Sequence, residues 1–285
     1  MLPTFLRAGA VILQAGAPEM AGADILIGMM SRRGARARNE DACGHWGGTP
    51  GQEGPMCCVL ADGAGGHGGG DVASRTAAAV VLESFAARPV CDPARVRELI
   101  DLANRSVVMG QPQSAATRDM RSTLVVWLCD PAGATAVWGH SGDSRLYCFR
   151  NGRLLMRTRD HSLYQAMIDA GMAEKESLRG NPQRNVLIAS LGSLENFDAD
   201  VLAQNFPLLS GDAFLICSDG FWDLIPEAEM EAVLQRAADP QAWIDELEQS
   251  IVHQARAGQD NYSALAVWYG MRAGQYSSIS KTAEP

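Results

Sequence analysis

Residues 56–71 read MCCVLADGAGGHGGGD, and no other stretch limits the possible folds of this chain so tightly. The apolar run Met56–Ala61 predicts a buried strand. It ends on a carboxylate, Asp62, passes into a glycine-rich run holding one histidine, and gives way to an alanine-rich helix near Val72. A strand that carries an acid to its tip and then turns sharply presents a charge at the edge of a site. The glycines let the backbone take unusual angles and come close to a ligand. The same device returns in AFLICSDG, where a second apolar strand runs into Asp219 and Gly220.

Around these two stretches the chain predicts short strands and helices in separate blocks. Ile25–Met30 reads as a strand, followed by the basic loop SRRGARARNEDA. Ala77, Val80, Val81 and Phe85 share one helical face, and Val96, Leu99, Ile100, Ala103 and Val107 repeat that spacing beyond Pro89 and Pro93. Strands are expected at Leu124–Cys129, Thr135–Trp138, Arg145–Phe149 and Leu154–Thr158, joined by turn material at DPAG and at Asn151 and Gly152. A short helix over Leu163–Ala170 and a polar loop follow. Val201–Asn205 and Ala213–Cys217 read as strands, Met230–Ala237 and Ile244–Ala255 as helices, and Ala264–Tyr269 as a last strand. Short strands at close spacing favour antiparallel sheet over a βαβ wind. A single domain over residues 24–270 is expected, with a flexible leader at 1–23 and a polar tail at 271–285.

Composition removes several function classes. The net charge of −9 argues against a nucleic-acid backbone or an anionic membrane as main partner, since both need a basic surface. The longest apolar runs fall far short of the roughly 20 residues of a spanning helix. The seven cysteines are odd in number and form no C-x-x-C pair, so neither a disulfide framework nor a cysteine zinc site is supported, and a cytoplasmic location is expected. Gly63, Gly65 and Gly68 satisfy a nominal dinucleotide fingerprint with Glu83 downstream. The context fails, because Glu83 lies within a helical pattern instead of ending a second strand. No Lys-Ser/Thr closes a P-loop, and Asp143 stands where a hydrolase elbow at Ser141 needs glycine.

The carboxylates carry more. Glu40 and Asp41 follow the first strand, Asp62 and Asp219 end apolar strands, and Asp260 precedes the last strand. Each alone is an ordinary turn or cap residue. Gathered at one sheet edge, they could not all stay ionised without a cation among them. Oxygen ligands without a Cys/His set select Mg²⁺ or Mn²⁺. A pair of such ions can activate water and clamp an in-line displacement at phosphorus, and Arg36 could grip a phosphate through its planar fork.

The strings RARNEDA, LADGAGGHGGGDVAS, GHSGDSRLY, TRDHSL, NVLIASLG, LICSDGFWDLI and GQDNYSALAV, in this order, resemble the successive motifs of the metal-dependent protein phosphatases (the type 2C serine/threonine phosphatases), bacterial branch. They span most of residues 25–270. The resemblance implies an α+β fold, a four-layer α/β/β/α sandwich of two antiparallel sheets flanked by helices. It implies hydrolysis of phosphoserine and phosphothreonine in proteins by in-line attack of a metal-bridging hydroxide, with two Mn²⁺ or Mg²⁺ ions and a possible third. Asp62 would bridge both ions and the Gly63 carbonyl would complete one sphere. Asp219 and Asp260 would hold the other ion, and Glu40 and Asp41 would act directly or through waters. Arg36 matches the phosphate-binding arginine. Asp119 aligns loosely with the acid of the third ion, and residues 142–145 with a structural turn beneath the site.

Two departures stand out. Ala64 occupies the place where some members carry a histidine and bacterial members usually carry methionine, while His67 belongs to the neighbouring turn and reads as structural. Arg121 stands where the family prefers glycine. The reaction also implies a partner serine/threonine kinase, and a monomer is expected. The competing reading is a catalytically silent phosphoprotein-binding module on the same fold.

Overall fold

The computed structural model describes residues 12–14, 25–47, 54–64, 69–174, 181–193, 197–254 and 257–270. The elements in order are β1 (Ile12–Gln14), β2 (Ile25–Arg32), β3 (Asp41–Trp46), β4 (Met56–Ala64), α1 (Gly70–Ala87), α2 (Pro93–Gly110), β5 (Arg121–Ser122), β6 (Leu124–Asp130), β7 (Thr135–Ser141), β8 (Arg145–Arg150), β9 (Arg153–Arg157), α3 (Leu163–Asp169), β10 (Asp200–Val201), β11 (Phe206–Pro207), β12 (Asp212–Cys217), α4 (Asp219–Trp222), α5 (Glu227–Leu234), α6 (Pro240–Gln254) and β13 (Tyr262–Tyr269).

The strands form two sheets. One runs β1-β3-β4-β6-β7-β10, with β5 beside β4 and β11 beside β7; the other runs β2-β13-β12-β8-β9. All pairs are antiparallel except β1 with β3, which is parallel. That strand lies within the segment expected to be a flexible leader. The rest of the leader, the tail 271–285 and the turn with Gly65, His67 and Gly68 lie outside the described residues.

Side-chain alternation along the strands builds three apolar layers. On β4, Cys57, Val59 and Ala61 face α1 and α2, whereas Met56, Cys58 and Leu60 face the second sheet. On β12, Phe214 and Ile216 face the first sheet, whereas Ala213, Leu215 and Cys217 face the layer of α5 and α6. The order is therefore helices, sheet, sheet, helices, as the resemblance implied. Because both faces of the central strands are covered, they read as continuous apolar runs. Each fully buried Leu, Val or Phe contributes about 1.5–3 kcal/mol, against about 0–1 kcal/mol for an exposed ion pair. Burial, not surface charge, holds the layers together.

Local signals set the element ends. Asp92 caps α2 by accepting from the Arg95 amide at 2.6 Å, with Pro93 in the first turn. The β8–β9 hairpin turns through Asn151 and Gly152, at φ of 53° and 70°. Two expectations change. Asp41 and Ala42, read as the end of the basic loop, open β3, and Cys43–Trp46, which drew no reading, complete it; CGHW lacks an alternating pattern because most of that strand is buried. The strand expected at Val201–Asn205 divides into two short pairings, Asp200–Val201 and Phe206–Pro207, both on β7.

Candidate active site

One end of the sandwich, where the apolar filling between the sheets stops, opens into a cleft of about 290 Å³. Asp62 follows Leu60 on the face of β4 that looks toward the second sheet, and Asp41 precedes Cys43 on the same face of β3. The two are directly paired in the strand register. Asp219 follows Ser218 at the end of β12, and Asp260 stands two residues before β13, the strand paired with β12. Glu40, Asp62, Gly63, Asp219, Asp260 and Arg36 all line the cleft. Asp41 lies behind them, 3% exposed.

The backbone around Asp62 is tightly held. Its amide donates to Thr123 Oγ1 at 3.0 Å, and its carbonyl accepts from the Thr123 amide at 2.8 Å and from Ser122 Oγ at 3.1 Å. The Gly63 amide donates to the Glu40 carbonyl at 3.0 Å. A Cβ at Gly63 would overlap the Gly70 carbonyl oxygen, so only glycine lets the start of α1 approach the strand this closely. Asn261 organises the opposite wall. Its Oδ1 accepts from the Glu40 amide at 2.9 Å, and its Nδ2 donates to the Arg33 and Arg38 carbonyls at 2.7 and 2.9 Å.

The electrostatics of the acids are unusual. Burial pushes the Asp41 carboxyl up to about 7, against hydrogen bonds from serine hydroxyls that favour its ionised form. Asp62 is pushed well above the usual carboxylate range by burial and then by Asp41 and Asp219. Burial and then Asp260 raise Asp219, while burial and then the nearby Asp71 raise Glu40. Ser218 Oγ donates to Asp41 Oδ2 at 2.8 Å, but Asp41 Oδ1 is buried with no hydrogen-bond partner. A buried carboxylate oxygen without a donor, among acids that repel one another, fits a divalent cation held by oxygen ligands.

Three placements were not legible beforehand. Asp143, assigned with residues 142–145 to a structural turn, lines the cleft, and burial followed by Asp219 drives its carboxyl well up. The structural part of that turn is Arg145, fully buried, which donates to both Asp160 oxygens at 2.7 Å and lies 3.4 Å over the Trp222 ring. Arg184, from a loop read only as polar, donates to Asp219 Oδ2 at 3.4 Å and to Asp223 Oδ2 at 2.8 Å. The signal for Asp143 was the tight turn at Gly142, φ 102°; nothing local marks Arg184. Asp119 is exposed in the turn before β5 and is absent from the cleft wall. Arg121 pairs with Ala64 across β4 and β5.

A second cluster, His140, His161 and Asp200, is a hydrogen-bonded network. His140 Nε2 donates to the Arg159 carbonyl at 2.7 Å, the Gly142 amide donates to His161 Nδ1 at 3.3 Å, and His161 Nε2 faces Asp200 Oδ2 at 3.2 Å.

With this geometry in place, the comparisons are decisive. The sequence model described as Protein phosphatase 2C matches residues 30–257. The chain belongs to the protein phosphatase 2C family. The serine/threonine phosphatase stp of Listeria monocytogenes is 30% identical over 216 residues, 73% of this chain and 82% of the relative. The Mycobacterium tuberculosis serine/threonine phosphatase PstP/Ppp superposes with a TM-score of 0.72 at 26% identity, covering 86% of this chain and 98% of that one. A structure of the PstP catalytic domain in complex with two manganese ions gives 0.71 at 25% identity, covering 86% and 98%. The phosphatase is thus a metal-dependent protein serine/threonine phosphatase. Among the described residues, no helix is long and apolar enough to cross a membrane.

Proposed function

We propose that the cleft hydrolyses phosphoserine and phosphothreonine with two Mn²⁺ or Mg²⁺ ions held by Asp41, Asp62, Asp219, Asp260, Glu40 and the Gly63 carbonyl. The observation that carries this reading is the buried, unpartnered Asp41 oxygen beside Asp62, at a cleft where burial and mutual repulsion raise Asp41, Asp62 and Asp219. When bound, the ions supply an activated water and charge neutralisation at phosphorus.

The chain's own groups do the rest. The Ser122 and Thr123 contacts fix the Asp62 backbone, so its carboxylate projects from a rigid strand. Arg36 stands in the cleft wall with Nη2 2.6 Å from Asp260 Oδ2. A phosphoryl group offers the same planar pair of oxygens to that fork. Ala64 lines the cleft where a histidine would be needed as acid for the leaving oxygen. No histidine lines the cleft among the described residues; a metal-bound water or the substrate would supply the leaving-group proton. A third ion would take Asp119 as its acid.

Phosphoproteins are the substrates, and a serine/threonine kinase supplies them. Residues 24–270 form the catalytic domain, acting as a monomer in the cytoplasm; the seven free cysteines, six of them buried, suit a reducing compartment. The test is release of phosphate from a phosphothreonine peptide with Mn²⁺. Turnover should be lost in Asp62→Asn and Asp219→Asn; no turnover in wild type, or turnover that survives EDTA, would refute the reading.

A further inference from the structure

Four of the seven residues from 32 to 38 are arginines, in a chain of net charge −9. Two have carboxylate partners: Arg32 pairs with Glu248 at 2.9 Å and Arg36 with Asp260 at 2.6 Å. Arg33 and Arg38 are exposed, and no carboxylate pairs with either among the described residues.

The loop that carries them is fixed at the cleft. Asn261, itself a cleft residue, holds the Arg33 and Arg38 carbonyls with its Nδ2, and the Ala35 amide donates to the Gln259 carbonyl at 2.9 Å. Gly34, at φ 60°, lies so close to Asp260 that a Cβ would overlap its carbonyl oxygen. Two guanidinium side chains outside any ion pair among the described residues are therefore anchored by their backbone on the rim of a cleft lined with carboxylates, with Arg38 near enough to lower the Glu40 carboxyl. A phosphorylated segment must approach those carboxylates carrying negative charge, and fixed cations on one rim offset the repulsion and orient the segment.

We infer that Arg33 and Arg38 form a docking rim that selects phosphoprotein segments with anionic groups beside the phosphorylated residue. This rests on the phosphatase reading and adds the substrate class to it. Arginine suits the task because its planar fork accepts a carboxylate or a second phosphate through paired hydrogen bonds. Acidic side chains are the flank we assign; a second phosphate would use the same contacts.

The test compares kcat/KM with Mn²⁺ for phosphothreonine peptides flanked by glutamate, by alanine, by lysine, or by one additional phosphoserine, with p-nitrophenyl phosphate as the flank-free substrate. Wild type should prefer the glutamate flank over alanine severalfold, and the preference should shrink in high salt. Arg33→Gln and Arg38→Gln should each lower it by about threefold, with p-nitrophenyl phosphate turnover unchanged in Arg33→Gln and each peptide rate of Arg38→Gln read relative to its own p-nitrophenyl phosphate rate. A second phosphate that outperforms glutamate, with the same loss in both variants, would support the rim but move its target to multiply phosphorylated segments. Equal rates on all flanks, or a preference untouched by both substitutions, would overturn the inference. Failure of wild type on p-nitrophenyl phosphate and every peptide would instead sink the phosphatase reading itself.

Discussion

Asp41 and Asp62 stand opposite each other on neighbouring antiparallel strands, on the face that looks between the two sheets. Like charges in that position destabilise a sheet, and burial raises both carboxyls. The pair is a cost in the metal-free fold that a cation converts into a gain. Metal-free Asp62→Asn should therefore melt at or above the temperature of the metal-free wild type. Adding Mn²⁺ should raise the wild-type midpoint by several degrees and leave the variant nearly unmoved. Thermal denaturation after chelation, with and without added metal, checks this; a variant that gains as much as wild type would contradict it.

Gly63 is needed for close packing, not only for chemistry. Alanine there would collide with the Gly70 carbonyl at the start of α1. Gly63→Ala should cost about 1–3 kcal/mol of unfolding free energy without metal, as overpacking does, and more with Mn²⁺ present, because the shifted Gly63 carbonyl also weakens the metal site. Urea titration in both conditions reads it.

Arg145 is 1% exposed and satisfies both oxygens of Asp160, itself 2% exposed at the side chain. Removing one partner of a buried pair leaves an uncompensated charge. Arg145→Ala should destabilise the protein by about 3–5 kcal/mol. The double variant with Asp160→Ala should recover part of that loss, and a double-mutant cycle by urea denaturation measures how much.

His140 is buried, and burial followed by its neighbour His161 holds its pKa below the usual histidine value. A base with a depressed folded pKa stabilises the fold above its unfolded pKa, about 6.5. That contribution is lost as pH falls from there toward the folded value, because the unfolded chain takes the proton first. The stability difference between wild type and His140→Gln should thus narrow as pH drops from about 7.5 to about 5.5, measured by urea titration at each pH. Taking the difference cancels Asp41, Asp62 and Asp219, whose raised values act in the opposite sense.

Local pattern carried a great deal of this molecule. Apolar runs such as Met56–Ala61 and Leu124–Cys129 announced strands covered on both faces. Asn151 and Gly152 announced a hairpin, and Pro89 with Pro93 the break between two helices. The acids Asp62, Asp219 and Asp260 were legible because each borders an apolar strand. Residue type and spacing encode which face a side chain takes and where an element ends.

They do not encode which strand becomes whose neighbour. The order β2-β13-β12-β8-β9 joins strands more than two hundred residues apart in the chain, and only that pairing sets Asp260 and Asn261 beside the arginine loop. Register made Asp41 the partner of Asp62, three-dimensional packing turned Asp143 into the cleft, and a long side chain brought Arg184 to Asp219. Asp119, suggested by alignment, lies in an exposed turn and does not line the cleft. The chemistry of each group was written locally; the company each keeps came from non-local burial, which alone decides what meets in space.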